Sequence, residues 1–121
     1  MQPRTTFTQD ATNKGVQIST WVMLDAWASP VVGVQVNVYN APGDPPVVYT
    51  VQETMDDPND PLGAVPPQFV TWFNVGDPNL VNSSFPAQMF FNSAPRYIRL
   101  VQTSGVGYAM LTVTQALSVP L

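Results

Sequence analysis

The sequence predicts an all-β fold: a single-domain antiparallel β-sandwich, jelly-roll-like in outline, with long proline-rich loops. Three observations carry that expectation. No stretch of ten or more residues repeats apolar side chains at the helical period, whereas about seven or eight short stretches alternate with a period of two. Turn formers, including 13 prolines and 7 glycines, separate those stretches, as they do in sandwiches and barrels. A chain of 121 residues with 45% hydrophobic content is long enough to bury one core, which removes roughly two-thirds of its unfolded surface from water. The expected organisation is an extended N-terminal arm over residues 1–15 and a β-sandwich domain over 16–121, with no internal repeat.

The arm holds one large apolar side chain, Phe7, among Thr, Gln, Asn and Asp, so it either frays as chain ends do or orders against a neighbouring subunit with Phe7 as its anchor. Val16, Ile18, Thr20, Val22 and Leu24 then alternate against Gln17, Ser19, Trp21 and Met23, which predicts a strand with Trp21 and Met23 turned away from the core. The connection from Asp25 to Pro30 presents Trp27, a plug for one end of the core or an interface anchor. Val34, Val36 and Val38 alternate cleanly after Gly33. A turn around Pro42-Gly43 leads to the strand from Val47, so residues 33–56 are expected to form a local hairpin. In that second strand Val47, Tyr49, Val51 and Met55 share the apolar face. Asp56 to Pro67 contains four prolines and three acids and must be a loop, since proline lacks the donor that helix and sheet require. Gln68 to Val75 forms an aromatic ribbon. Turn chemistry follows over 76–84, then the phenylalanine-rich stretch 85–91. Arg96–Gln102 and Ala109–Thr114, joined by Thr103-Ser-Gly-Val-Gly107, are expected to make a C-terminal hairpin.

Composition excludes several classes of function. The chain has no Cys and no His, which removes disulfides, thiol chemistry, most nucleophile–base pairs and most transition-metal sites. An enzyme is not expected, nor a cofactor. Four basic residues in a chain of net charge −4 are too few to neutralise a phosphate backbone, so no nucleic acid partner is expected. No apolar run is long enough to span a bilayer, and the start Met-Gln-Pro-Arg-Thr-Thr lacks a secretory signal pattern. Charged residues make up 10% where roughly 25% is usual. A surface so poor in charge is expected to be covered by a partner or solvated by neutral Asn, Gln, Ser and Thr.

The candidate contact residues are Phe7, Trp21, Trp27, Asp56, Asp57, Asp60 and Trp72. Asp56, Asp57 and Asp60, with Asn59, offer hard oxygen ligands of the kind calcium takes, but the spacing matches no calcium loop and no bidentate closing ligand follows. A solvated or partner-facing acidic turn is favoured, and no metal is expected. Asp25, Glu53 and Asp56-Asp57 could be posed as a glycosidase pair; Glu53 reads better as a strand end reaching solvent or pairing with Arg96 or Arg99. Trp21, Trp27, Tyr39 and Trp72 could form a platform for stacking sugars, as in a carbohydrate-binding β-sandwich module, or contacts between subunits. Subunit contact is favoured because low charge extends over the whole chain.

Several motifs in order carry a resemblance: Leu24-Asp25, Pro30-Val-Val-Gly33-Val, Tyr49-Thr-Val-Gln-Glu-Thr-Met-Asp-Asp-Pro58, Thr71-Trp-Phe73, Arg96-Tyr-Ile-Arg-Leu100, Thr103-Ser-Gly105 and Leu111-Thr-Val-Thr-Gln115. Over about residues 16–116 the chain resembles small virion structural proteins of tailed bacteriophages and prophages. The resemblance implies a capsid cement or decoration protein, or alternatively a head–tail connector or tail component. It also implies a homo-oligomer located in the virion, assembled in the host cytoplasm, whose partners are the major capsid protein or other virion proteins.

Overall fold

The computed structural model describes residues 4–8, 16–24, 31–40, 42–56, 69–91 and 95–115. Strands β1 (Arg4–Phe7), β2 (Gln17–Ile18), β3 (Val22–Met23), β4 (Val32–Asn40), β5 (Val48–Thr54), β6 (Phe73–Asn74), β7 (Ala87–Phe91), β8 (Tyr97–Ser104) and β9 (Gly107–Gln115) form two antiparallel sheets. The first sheet has the order β1-β9-β4-β7. The second has the order β2-β8-β5-β6, with β3 also on β8. The architecture is an all-β sandwich. Val34, Val36, Leu111 and Val113 of the first sheet meet Tyr49, Val51, Ile98 and Leu100 of the second in one buried cluster, as alternation places them.

The pairing is nested along the chain: β1 with β9, β2 and β3 with β8, β4 with β7, and β5 with β6. Two further ladders, β4 with β9 and β5 with β8, complete the sheets. Both local hairpins expected from the sequence are therefore replaced, because β4 and β5 lie in different sheets, as do β8 and β9. The reason lies in the connections. Pro42, Pro45 and Pro46 withhold donors from any ladder between β4 and β5. The chain instead arches across the sandwich, turning at Gly43 with φ +79°, while the Asn40 carboxamide oxygen accepts from the Val47 amide at 2.8 Å. The β8–β9 connection arches at the same end, and its Val106 amide donates to the Pro45 carbonyl at 3.1 Å.

The expected strand from Val16 to Leu24 is interrupted. Gln17 and Ile18 pair with Gln102 and Val101, whereas Val22 and Met23 pair with Ile98 and Tyr97, so one extra residue is accommodated between them and the side-chain phase inverts. Ser19, Val22 and Leu24 are buried, and Val16 and Ile18 are exposed, contrary to the single-face reading. Ser19 fills the break: its amide donates to the Leu100 carbonyl at 2.9 Å, and its hydroxyl accepts from the Leu100 amide at 2.9 Å. Trp21 and Met23 do turn away from the core, as expected.

Arg4–Phe7, expected within an extended arm, lie along β9 as an edge strand of the first sheet. Arg4 donates to the Met23 carbonyl and the Thr6 hydroxyl to the Thr20 carbonyl, which ties this edge to the second sheet. At the arch end, buried Gln102 accepts from the Thr8 hydroxyl and donates to the Gly105 and Gly107 carbonyls at 3.3 and 3.1 Å. Among the described residues, every buried side-chain polar atom has such a partner, as buried polar groups require. Met55, expected on the core face, follows the end of β5 and is 67% exposed.

Candidate functional site

Alternation along β8 sends Ile98, Leu100 and Gln102 inward and Tyr97, Arg99 and Val101 outward. The outward face of the second sheet is consequently built around two neighbouring rows. In the first, Tyr97 lies beside Met23 and Thr54, and Trp21 packs edge-on against the Tyr97 ring at 4.8 Å between centroids. In the second, Arg99 lies beside Gln52 and then Asn74. The Arg99 Nε donates to the Gln52 Oε1 at 2.9 Å, and the Gln52 amide donates to the Asn74 Oδ1 at 3.2 Å. The Arg99 guanidinium carbon stands 4.2 Å from the centre of the Trp72 ring, a cation–π geometry. Partial burial pulls the Arg99 pKa below its ordinary value, because desolvation disfavours the charged form.

The structure thus brings Trp21 and Trp72 to one face, with Tyr97 and Arg99 between them. Trp21 and Met23 are 40% and 55% exposed and cover Tyr97, which is buried, so the apolar and aromatic patch lies beside the Arg99 guanidinium and the Arg4 guanidinium at the Met23 carbonyl. Tyr97 and Arg99 were the residues that sequence reasoning missed as part of this patch. Their signal was the outward phase of β8, legible only once the phase of Ile98 and Leu100 is fixed by the core.

Asp56 is committed to the fold. Its Oδ2 accepts from the Thr71 amide at 2.9 Å, while the Thr54 hydroxyl donates to the Thr71 carbonyl at 2.7 Å, so the two ends of the 57–70 connection are clamped to the end of β5. Trp27, Asp57 and Asp60 lie outside the described residues. Among the described residues, no group of three acidic, His or Cys side chains converges. Glu53 pairs in register with Ile98 and Phe73, on the inward phase, and desolvation raises its carboxyl pKa above the ordinary value. Arg99 projects from the opposite face of the same sheet, so the expected Glu53–Arg99 pair does not form.

Phe7 and Tyr39 belong to the other side of the molecule. On the outward face of the first sheet, Tyr39 and Tyr108 stack at 4.7 Å between centroids, and Phe7 tilts against Tyr108 at 5.9 Å. Tyr39 therefore cannot share a platform with Trp21 and Trp72, and that constellation is corrected: its described members, Tyr39 on one side and Trp21 and Trp72 on the other, occupy opposite faces of the sandwich. Among the described residues, no helix is long and apolar enough to cross a membrane. No protein-family model, curated protein or solved structure matches the chain.

Proposed function

We propose that this protein is a structural component of a tailed-bacteriophage virion, a capsid cement or decoration protein that stabilises the shell by protein–protein contact. The reading assigns it no catalytic step. The observation that supports it most is the outward face of the second sheet, where exposed Trp21 and Met23 cover the buried Tyr97 ring and Trp72 lies against Arg99. Aromatic and Arg side chains concentrated in one patch are the residue types that dominate interface energetics. The nested strand order supports the same reading, because first-with-last pairing across two sheets is the plan of a jelly roll, an architecture shared by viral capsid domains and lectins. Position in the neck or tail would use the same face and is the close alternative.

In this reading the face docks on the major capsid protein or on another virion protein, and copies of the chain associate on the particle. The test is binding of purified protein to particles lacking it. Trp21→Ala and Trp72→Ala are each expected to weaken binding on the order of tenfold to a hundredfold, the scale of an interface hot spot. Deletion of the gene is expected to give particles that lose shell or tail integrity on heating. Deletion particles that are complete and as heat-stable as wild type would overturn the proposal.

A further inference from the structure

The outward face of the first sheet is built differently. The sole charged residue in its four strands is Arg4, which sits on the inward phase with Val113 and reaches across to Met23. The outward positions are consequently all uncharged. Thr5, Thr112, Gln35 and Gln88 form one cross-strand row. Thr114, Gly33 and Phe90 form the next row, with the Phe90 ring and Thr114 hydroxyl leaning over the glycine, where a Cβ would sit 3.2 and 2.8 Å from them. Two depressions flank the Gln35–Gln88 pair. One, of about 100 Å³, lies between it and Phe90. The other, of about 220 Å³, opens where β7 begins and is lined by Pro86 and by Val36 and Ala87, whose side chains face the core, with the Gln35, Asn37 and Gln88 amides at its rim.

We propose that this face binds a neutral polysaccharide, with the Gln35–Gln88 amide pair between two sugar positions. The chemistry selects that class. A carboxamide carries a donor and an acceptor side by side and so matches the vicinal hydroxyls of a hexose. Pro86 beside one depression and the Phe90 ring beside the other offer apolar surface to the C–H faces of two such sugars. Without a cation the face has nothing to neutralise a phosphate or uronate, and without a carboxylate it has no hard ligand for calcium. A second copy of the chain is a poorer occupant. Such a dimer would bury a row of amides and hydroxyls facing the same row. The proposal is independent of the virion reading, which rests on the opposite face.

The test is native gel electrophoresis of the full chain through mixed-linkage β-glucan, galactomannan, dextran or amylopectin, with alginate and heparin as anionic comparators. At least one neutral polymer should retard the protein and neither anionic one should. Gln35→Ala and Gln88→Ala should each weaken retardation at least tenfold, and Trp72→Ala, on the other face, should leave it unchanged. Gln88 lies on an edge strand, so its variant remains informative if Gln35→Ala does not fold. No retardation by any neutral polymer, retardation by the anionic polymers alone, or retardation unaffected by both glutamine variants would overturn the proposal. A concentration-dependent dimer abolished by Gln35→Glu would likewise overturn it, in favour of a second copy on this face.

Discussion

Two glycines at the arch end allow a backbone preference to be separated from a packing constraint. Gly43 and Gly105 both have positive φ, +79° and +106°, so alanine at either position incurs the cost of a conformation that L side chains avoid, about 1 kcal/mol. They differ in what surrounds them. A Cβ on Gly43 would meet nothing within 4 Å, whereas one on Gly105 would collide with the Pro46 carbonyl and the Val47 Cα. Backbone atoms held by the Val106–Pro45 bond and the Asn40–Val47 bond cannot rotate aside as a side chain would. Overpacking of this kind adds about 1 to 3 kcal/mol, so Gly105→Ala should cost about 2 to 4 kcal/mol against about 1 for Gly43→Ala. That is a large share of the roughly 5 to 15 kcal/mol that holds a domain folded. In urea unfolding with a slope of about 1.5 kcal/mol/M, the midpoint should fall by about 1.3 to 2.7 M for Gly105→Ala and by about 0.7 M for Gly43→Ala. Equal midpoints for the two variants would refute the claim that the two arches brace each other.

Further tests address the bulge, the half-buried acid and the aromatic face. Ser19→Ala removes the acceptor for the Leu100 amide at a buried site and should cost about 1 to 3 kcal/mol by thermal or urea unfolding; no loss would mean that the hydroxyl does not close the strand break. Glu53 has a raised pKa from burial, so the folded state holds its proton more tightly than the unfolded state and stability falls as pH rises from the ordinary glutamate value through the raised one. Glu53→Gln should therefore unfold at a higher temperature than wild type at neutral pH, with the advantage shrinking as pH drops from the raised value to the ordinary glutamate value and level below it; a pH-independent difference would contradict this. Arg99→Met removes the cation over Trp72 and the bond to Gln52, and should cost about 1 kcal/mol with a change in tryptophan emission. Unchanged emission would show that the ring does not depend on Arg99.

The class of fold is legible in the chain alone, since period-two alternation with valines at 34, 36 and 38 and the pair Leu111 and Val113 admits strands with one buried side. So is the poverty of charge, which follows from counting and needs no coordinates. The chain also marks Trp21 as outward-facing, because a tryptophan opposite an apolar row has only the other face to occupy. Partner choice among strands was decided by tertiary structure. Alternation tells each strand which side is inward, but a hairpin and an arch between sheets satisfy the same alternation. The choice depends on prolines 42, 45 and 46 and on glycines whose neighbours come from distant parts of the chain. Phase was likewise decided by packing at residues 18–22, where one inserted residue turns Ile18 outward and Ser19 inward with no local mark in the sequence. The grouping of functional side chains depends on both. Trp21 and Trp72 share one face, packed on Tyr97 and Arg99 of β8, while Tyr39 falls on the opposite sheet, because a face is a property of the register between strands, and register is fixed only when the two sheets close on a common core.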